Sequence, residues 1–456
     1  MAGRPRIHFT PARNWMNDPN GLVFHRGRYH LFFQHNPFGA DHAHMSWGHA
    51  SSPDLMEWTE HPVAIPCDEH EEIYSGSIVI DEENTSGFGH SALVAVYTSH
   101  TAEREAQSLA YSVDDGMTWT KYAGNPVLDR GSQNFRDPKV FRYAGDAGDY
   151  WVMSAVEATE HRVVLYRSDD LRTWTFLSSY GPAGAVGGVW ECPDLFPLLV
   201  DGDPEDVRWV LLISLNPGGI AGGSGTQYVV GRFDGVTFTP DRPVPDDLAS
   251  VDWLDYGRDC YAGVTFSGLP VEERTLIAWM GNWDYARGEV PTSPWRGAMT
   301  VPRRLSLVTS GGRPRLRSLP VLPVGRAVDA DGALPVAARI DLRARIDDGG
   351  SVVLTIAGDE GRASIVCTPD AMSLDRTAAG TFAPLFPGVE SARLSAPDDV
   401  MELTILVDAY SVEVFAQSGV AALTDLVFVG DRRGIDVAIV DAVVESLEVS
   451  DLGGVA

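Results

Sequence analysis

Short apolar runs separated by turn-forming residues recur along the chain and predict β-strands. Leu93 to Tyr97 and Val163 to Tyr166 are two such runs in the first half. After residue 305 the runs alternate polar and apolar positions, which is typical of strands with one buried face; they cover 339–344, 352–356, 401–407 and 411–415. The pattern predicts an all-β protein.

A turn motif with an aromatic anchor recurs in the first part of the chain. The motif occurs four times: the first three copies begin with Ser-x-Asp and the fourth has the Asp without the Ser. Their aromatic anchors are Trp58, Trp119, Trp174 and Phe238. A β-turn-β unit repeated at roughly 50–60 residues is typical of propeller blades with about four short strands each. About 300 residues then form five blades. The alternative is a series of unrelated hairpins that share turn chemistry.

The composition of the chain changes near residue 300. All 12 Trp lie between Trp15 and Trp295, and all 12 His lie between His8 and His161. We interpret the change as a domain boundary. It predicts a propeller over residues 1–310, a linker over 311–330 and a second all-β domain over 331–456.

Charge and composition exclude several classes of partner. The 456 residues carry a formal net charge of −28, which repels nucleic acid and anionic membranes. The four cysteines are scattered, so we expect no disulfide framework. Residues 1–7 lack the apolar core of a signal peptide, and no run approaches the roughly 18 apolar residues of a membrane span. These features predict a cytoplasmic protein, or a secreted one if a leader was trimmed. They do not indicate an oligomeric state.

Three acidic residues share an unusual setting. Asp18 lies between an Asn and a Pro-Asn-Gly sequence, which predicts a stiff turn before a strand. Asp137 lies between Arg136 and a Pro, and the Arg is expected to keep it ionised. Glu191 lies between Trp and Cys, an apolar setting that favours a protonated carboxyl group and suits a general acid.

A propeller can bring such acids together, because loops from all blades surround one central funnel. We expect the three acids in successive blades. A retaining glycosidase uses two carboxyl groups roughly 5–5.5 Å apart, one as the nucleophile and one as the acid and then the base. The third could hold sugar hydroxyls. Taken singly, each acid is also compatible with a structural role in a turn or an ion pair.

The motifs around these acids resemble glycoside hydrolase family 32, the β-fructosidases. The resemblance covers essentially the whole chain and is carried by Trp-Met-Asn-Asp-Pro-Asn-Gly at 15–21, Phe-Arg-Asp-Pro at 135–138, Trp-Glu-Cys-Pro-Asp at 190–194, Met-Ser-Trp-Gly-His-Ala at 45–50, Tyr-Ser-Gly-Ser at 74–77, Gly-Thr-Gln-Tyr at 225–228, Pro-Thr-Ser-Pro-Trp-Arg-Gly-Ala-Met at 291–299 and Ser-Val-Glu-Val-Phe at 411–415. It implies a five-bladed β-propeller followed by a C-terminal β-sandwich. It also implies net retention of configuration, with no metal and no cofactor.

The resemblance also implies roles for individual residues. Asp18 would be the nucleophile that attacks C2 of a β-fructofuranosyl unit, Glu191 the general acid/base, and Asp137 the stabiliser of the transition state. The residues implied to bind the substrate are Asn17, Gln34, Trp47, Tyr74, Ser75, Arg136 and Trp279, and Asp255 or Asp259 is a further candidate.

Two departures from the family pattern affect the expected rim of the pocket. His42-Ala43 stands where the family commonly has Trp-Gly, and Tyr74 replaces the usual Phe. Both departures put the enzyme's preference for a leaving group in doubt.

His35, His42, His44 and His49 could suggest a metal site, but a sugar funnel explains them as well.

The leading hypothesis is an exo-acting β-fructosidase that acts on levan, inulin, fructo-oligosaccharides and sucrose. The first alternative is a fructosyl transferase or a levan disaccharide-releasing enzyme on the same scaffold, since acceptor-side loops rather than carboxylates separate these reactions. An arabinan- or xylan-cleaving propeller enzyme lacks support from the 15–21 motif. A non-catalytic sugar-binding protein would be expected to have lost at least one of the three acids.

Overall fold

Five antiparallel blades around a central axis form the first domain, a β-propeller. The computed structural model describes residues 3–145, 148–288, 290–329, 333–380, 384, 388–394 and 400–453. In each blade the first strand is innermost, and the first strands of neighbouring blades contact each other around the ring. The prediction of a five-bladed propeller is confirmed.

The strands of the propeller follow one another as meanders. Blade 1 contains β1 (Asn14–His25), β2 (Arg28–Asn36), β3 (Ser46–Ser52) and β4 (Thr59–Ile65); blade 2 contains β5 (Glu72–Asp81), β6 (Ala92–His100), β7 (Glu105–Ser112), β8 (Thr120–Lys121) and β9 (Leu128–Asp129). Blade 3 contains β10 (Phe135–Tyr143), β11 (Tyr150–Glu157), β12 (Arg162–Ser168) and β13 (Thr175–Tyr180); blade 4 contains β14 (Val189–Val200), β15 (Asp203–Asn216), β16 (Gly225–Phe233) and β17 (Phe238–Pro240). Blade 5 contains β18 (Tyr261–Thr265), β19 (Thr275–Met280), β21 (Ala298–Met299), β22 (Arg303–Ser310) and β23 (Arg313–Pro320). Short 3-10 helices span Ala158–Glu160 and Val271–Glu273.

The ring is closed by the pairing of distant segments. Strand β20 (Trp295–Arg296) lies parallel to β1, with Asn14 opposite Trp295. The main-chain N–H of Asn14 also donates to the carbonyl of Pro294 at 2.8 Å. The first and last parts of the propeller are therefore joined at the edge of blade 1.

Every innermost strand carries a register shift near its start. The shifts fall between Met16 and Pro19, Tyr74 and Gly76, Arg136 and Lys139, Glu191 and Asp194, and Tyr261 and Val264. A β-bulge interrupts the regular alternation and re-aims a side chain. Five bulges at matching positions therefore direct side chains from all blades toward one region.

The repeated turn motif links the third and fourth strands of blades 1 to 4. In blade 3 the carboxylate of Asp170 accepts main-chain N–H groups from Arg172 and Thr173, and the indole N–H of Trp174 donates to the Leu171 carbonyl. The copies anchored by Trp58 and Trp119 make the same indole bond. The motif is thus a true repeat, with Asp closing the turn and the aromatic residue holding it.

The second domain is a β-sandwich built around one strongly bent strand. The first half of β25 pairs with β29 and its second half pairs with β26, with a register break between Ile346 and Ser351. The two halves of the sheet enclose a continuous apolar core. The strands are β24 (Arg326–Val328), β25 (Ala338–Ala357), β26 (Arg362–Thr368), β27 (Ala371–Asp375), β28 (Val389–Arg393), β29 (Val400–Asp408), β30 (Ser411–Ala416), β31 (Ala421–Leu426) and β32 (Gly434–Asp451), with a 3-10 turn at Gln417–Gly419.

The strands suggest a shorter connection between the domains than the predicted linker over 311–330. Strand β23 pairs with β22 in blade 5, whereas β24 pairs with β32 of the sandwich. We therefore propose the boundary at residues 321–325. The predicted limits at residues 330 and 331 lie outside the described residues, as do residues 1–2 and 454–456 of the predicted domains.

A buried ionic network joins the two domains. Arg303 of blade 5 donates to Asp255 at 2.8 Å and to Glu413 of the sandwich at 2.6 Å. The two ring nitrogens of His8 lie 2.8 Å from carboxylate oxygens of Asp408 and Glu413. Removing one partner from such a network leaves an uncompensated buried charge, so the network disfavours separation of the domains.

Among the described residues, no helix has the length and apolarity needed to span a membrane.

Candidate active site

All five innermost strands contribute side chains to one polar cluster. It comprises Asp18 on β1, Tyr74 and Ser75 on β5, Arg136 and Asp137 on β10, Glu191 and Cys192 on β14, and Tyr261 on β18. The three acids therefore lie in blades 1, 3 and 4, not in successive blades as expected. Blade 2 contributes a Tyr and a Ser in place of an acid.

Asp18 lies inside a bulged strand, which corrects the expectation of a turn. The whole 15–21 motif belongs to β1, and Pro19 directly follows the bulge that leaves Asn17 and Asp18 unpaired, a position where a strand accepts proline. Gly21 is required there: it has φ of +52°, and a Cβ would lie 2.7 Å from Ile78 and 2.9 Å from Trp47. The motif thus places Asp18 on a rigid inner strand.

The carboxyl group of Asp18 has few partners. Its Oδ2 accepts from the Ser75 hydroxyl at 3.2 Å, while Oδ1 is buried with no hydrogen-bond partner. Burial, followed by the neighbouring charge of Glu191, raises the pKa of Asp18 to about 6. A carboxylate with one uncommitted oxygen is suited to attack an electrophilic carbon.

Cys192 lies between Asp18 and Asp137. Its Sγ is 3.8 Å from Asp18 Oδ2 and 3.7 Å from Asp137 Oδ2. The two carboxylate oxygens are therefore no farther apart than the sum of these two distances. Burial and the surrounding carboxylates raise the pKa of the thiol well above its usual value, so it remains protonated and acts as a weak donor.

Asp137 is held in a left-handed conformation at the bulge of β10, with φ of +62°. Its Oδ2 accepts the main-chain N–H of Cys192 at 2.9 Å. Burial raises the pKa of Asp137 to about 8, even though Arg136 opposes the shift. The expectation that Arg136 keeps Asp137 ionised stays a prediction, because the guanidinium lowers the pKa of Asp137 while burial and the charges of Glu191 and Asp18 raise it.

Glu191 is less buried than Asp137 and is held by two donors. Arg136 donates to Glu191 Oε1 through Nε at 3.2 Å and Nη2 at 3.1 Å. The hydroxyl of Tyr261 donates to the other oxygen, Oε2. Arg136 is itself fixed by Glu105, which accepts from Nη1 at 3.2 Å. Both oxygens of Glu191 are therefore positioned by strands of neighbouring blades.

The residues predicted to bind substrate lie at two depths. Tyr74 and Arg136 are half-buried, and Ser75 contacts Asp18 directly. The indole N–H of Trp47 donates to the Tyr74 carbonyl, and the amide of Gln34 donates to the Ile73 carbonyl. Asn17, Gln34, Trp47 and Trp279 are all at most 2% exposed. Their contact with a sugar stays a prediction.

Trp283 and His42 form the accessible wall beside Trp15. Trp283 is half-buried and stacks on Trp15 with ring centroids 5.9 Å apart. His42 meets Trp283 edge-on at 5.1 Å, and burial lowers the pKa of His42 to about 4, which keeps the ring neutral at pH 7. Trp279 packs behind Trp283 at 4.9 Å. Sequence reasoning placed Trp279 at the substrate, whereas Trp283 is the more accessible indole.

Asp255 and Asp259 do not belong to the cluster. Asp255 pairs with Arg303 and accepts from Thr424 of the sandwich. Asp259 pairs with Arg376 of the sandwich at 2.9 Å. The expectation that Asp255 or Asp259 contacts the substrate is therefore wrong, because both are buried in the interface between the domains.

Sequence reasoning missed three contributors. Cys192 lies in the recognised motif at 190–194 and Tyr261 lies two residues after the candidate Asp259, but no local pattern predicts their contacts with the acids. No local sequence pattern points to Glu105, because its partner Arg136 is remote in sequence.

The described residues contain no group of three or more His, Cys, Asp or Glu arranged to hold a metal ion.

Comparisons with known proteins identify sequences and a structure similar to this chain. A family model described as "Glycosyl hydrolases family 32 N-terminal domain" matches residues 8–320, and one described as "Glycosyl hydrolases family 32 C terminal" matches 334–451. The chain is 42% identical to the levanase of Bacillus subtilis, over 93% of this chain and 66% of that protein. It is 39% identical to an extracellular exo-inulinase of Aspergillus niger, over 93% of this chain and 89% of that protein. The crystal structure of exo-inulinase from Aspergillus awamori has a TM-score of 0.89 and 36% identity, over 99% of this chain and 98% of that chain.

Proposed function

Because the chain belongs to glycosyl hydrolase family 32, we propose that it is an exo-acting β-fructosidase with a retaining mechanism. Its substrates are levan, inulin, fructo-oligosaccharides and sucrose, from which it releases terminal non-reducing β-D-fructofuranosyl residues. The observation that carries the proposal is the convergence of Asp18, Asp137 and Glu191 around Cys192 and Arg136. Relatives named levanase and exo-inulinase support the substrate class.

The first step forms a fructosyl ester. A carboxylate oxygen of Asp18 attacks C2 as the bond from C2 to the leaving oxygen breaks, and the carboxyl proton of Glu191 passes to that oxygen. Tyr261 and Arg136 orient Glu191 for this transfer. Asp137, whose raised pKa favours the protonated form, can donate to or accept from a ring hydroxyl.

The second step releases fructose by the reverse roles. Glu191, now ionised, accepts a proton from water as the water oxygen attacks C2, and the bond from C2 to Asp18 breaks. Each of the two attacks inverts the configuration at C2, so the overall reaction retains it. The half-buried wall of Trp283 and His42 is suited to contact the leaving group, since both rings lie beside Trp15 at the edge of the cluster.

Timed product analysis on sucrose, inulin and levan tests the proposal. Free fructose as the sole early product from inulin and levan, together with equal amounts of fructose and glucose from sucrose, supports an exo-hydrolase. Disaccharides or dianhydrides as early products would contradict it and indicate the transferase or disaccharide-releasing alternative.

The cellular location stays a prediction: the sequence favours the cytoplasm, whereas a relative named extracellular makes secretion equally worth testing.

A further inference from the structure

Trp283 is presented by a short segment that lacks regular structure. Residues 281–288 follow β19 and contain only turns. The main-chain N–H groups of Tyr285 and Ala286 donate to the carbonyl of Asn282 at 3.2 and 2.9 Å, and that of Gly288 donates to the carbonyl of Tyr285 at 2.8 Å. Such a turn has few bonds of its own, so its position depends on what holds its side chains.

One attachment of this segment lies within the propeller. The buried amide of Asn282 donates to the carbonyls of Gly222 and Arg258 at 3.2 and 2.8 Å. The N–H of Trp283 donates to the Ser224 hydroxyl at 3.0 Å. These bonds fix the start of the segment against a loop of blade 4, on one side of Trp283.

The other attachment reaches into the second domain. The Tyr285 hydroxyl donates to Asp259 Oδ1, and Asp259 Oδ2 accepts from Arg376 Nη1 at 2.9 Å and from the N–H of Leu426 at 2.8 Å. Arg376 Nη2 lies 3.5 Å from the Tyr285 hydroxyl. Arg376 follows β27, Leu426 ends β31, and the Arg376 side chain is fully buried. The sandwich therefore helps to hold the far side of the segment, together with Arg296 of β20, which donates to the carbonyls of Ala286 and Gly288.

We propose that Tyr285, anchored through Asp259 to Arg376, is a positioning residue for the Trp283 wall, so that the β-sandwich sets substrate binding in the propeller. A void of about 20 Å³ lined by Tyr285, Tyr410 and Leu426 leaves the segment room to shift when the anchor is lost. The effect on substrate rests on the proposed function, whereas the effect on the segment does not.

The test compares Tyr285→Phe with Tyr228→Phe. Tyr228 is a buried tyrosine of blade 4 whose hydroxyl accepts from the N–H of Leu316, so the control removes a buried, hydrogen-bonded tyrosine hydroxyl that is remote from the segment. In the enzyme with both domains present, Tyr285→Phe is expected to speed hydrogen exchange at the amides of Ala286 and Gly288. KM for sucrose is expected to rise by about 3- to 10-fold, the effect of one hydrogen bond, with kcat within about twofold.

A second pair of variants separates positioning from stability. Arg376→Lys should reproduce the rise in KM, whereas Arg303→Lys, in the same interface but without contact to Tyr285, should lower the melting temperature and leave KM unchanged. Unaltered exchange at Ala286 and Gly288 in Tyr285→Phe would overturn the proposal, as would an equal rise in KM in Tyr228→Phe. If the wild-type enzyme releases no fructose, the proposed function fails, and the exchange measurement still decides the positioning of the segment.

Discussion

The main-chain N–H of Cys192 donates to the carboxylate of Asp137 at 2.9 Å, so the residue directly after Glu191 joins blade 4 to the acid of blade 3. The same residue places its thiol 3.8 Å from Asp18 of blade 1. One residue therefore links three carboxyl groups that are remote in sequence.

Replacing Asp18 with Asn should abolish most activity, because a neutral amide cannot form the fructosyl ester. We expect kcat for fructose release from sucrose to fall at least about 10³-fold. Asp54→Asn is the matched control: Asp54 closes a turn in the same blade through bonds that Asn can also accept, so its kcat should equal that of the wild type. A loss below about tenfold in Asp18→Asn would contradict the assignment.

The acid limb of the pH profile should report Asp18. The nucleophile must be ionised and the pKa of Asp18 is raised to about 6, so kcat/KM should fall as the pH drops below about 6. The Ser75 hydroxyl bond lowers this pKa, and Ser75→Ala should therefore move the acid limb to higher pH. Ser77→Ala removes a buried hydroxyl of the same strand that bonds Pro138 instead, and should leave the limb in place. A limb that moves to lower pH in Ser75→Ala would refute this account.

Alkaline pH should weaken the domain interface through His8. Although burial opposes it, the bonds and charges of Asp408 and Glu413 raise the pKa of His8 from 6.5 to about 9. The resulting stabilisation is complete below pH 6.5 and is lost as the pH rises through about 9. Urea unfolding of His8→Gln should show a free energy of unfolding lower than wild type by up to about 3 kcal/mol at pH 6, with the difference shrinking toward pH 9. A difference independent of pH would show that His8 is not charged in the folded protein.

The turn motif should matter for stability and not for catalysis. Asp170→Ala removes the acceptor for the N–H groups of Arg172 and Thr173 and should lower the free energy of unfolding by about 1 kcal/mol. The neighbouring Asp169 is exposed and pairs only at the surface with Arg167, so Asp169→Ala should cost less than about 0.5 kcal/mol. Urea unfolding measures both values, and a fall in kcat in Asp170→Ala would mean that the turn supports the site.

Much of the fold could be predicted from local patterns. The strands at 339–344 and 401–407 could be predicted because alternation of polar and apolar residues is typical of a strand with one buried face. The turn repeat predicted the blades because its Asp and Trp interact within a few residues of each other. The acids were recognisable for the same reason, since Asp18, Asp137 and Glu191 each lie in a distinctive local motif. Their catalytic roles stay predictions.

The remaining features depend on contacts between distant segments. A Pro-Asn-Gly sequence is compatible with a turn or with a bulged strand, and only pairing of β1 with β2 selects the strand. The burial of Trp279 behind Trp283 depends on Trp15, more than 260 residues earlier in the chain. The pairing of Asp259 with Arg376 likewise depends on how the domains pack, which no local pattern reports.

The most direct test of the central claim is to trap the fructosyl ester on Asp18. Glu191→Gln is incubated with a fructofuranoside whose leaving group departs without protonation, and the digested protein is analysed by peptide mass spectrometry. Because the second step needs the carboxylate of Glu191 to deprotonate water, the ester should accumulate on the peptide that contains Asp18. An adduct on Asp137 or another residue, or the absence of any adduct together with a product of inverted configuration, would contradict the account.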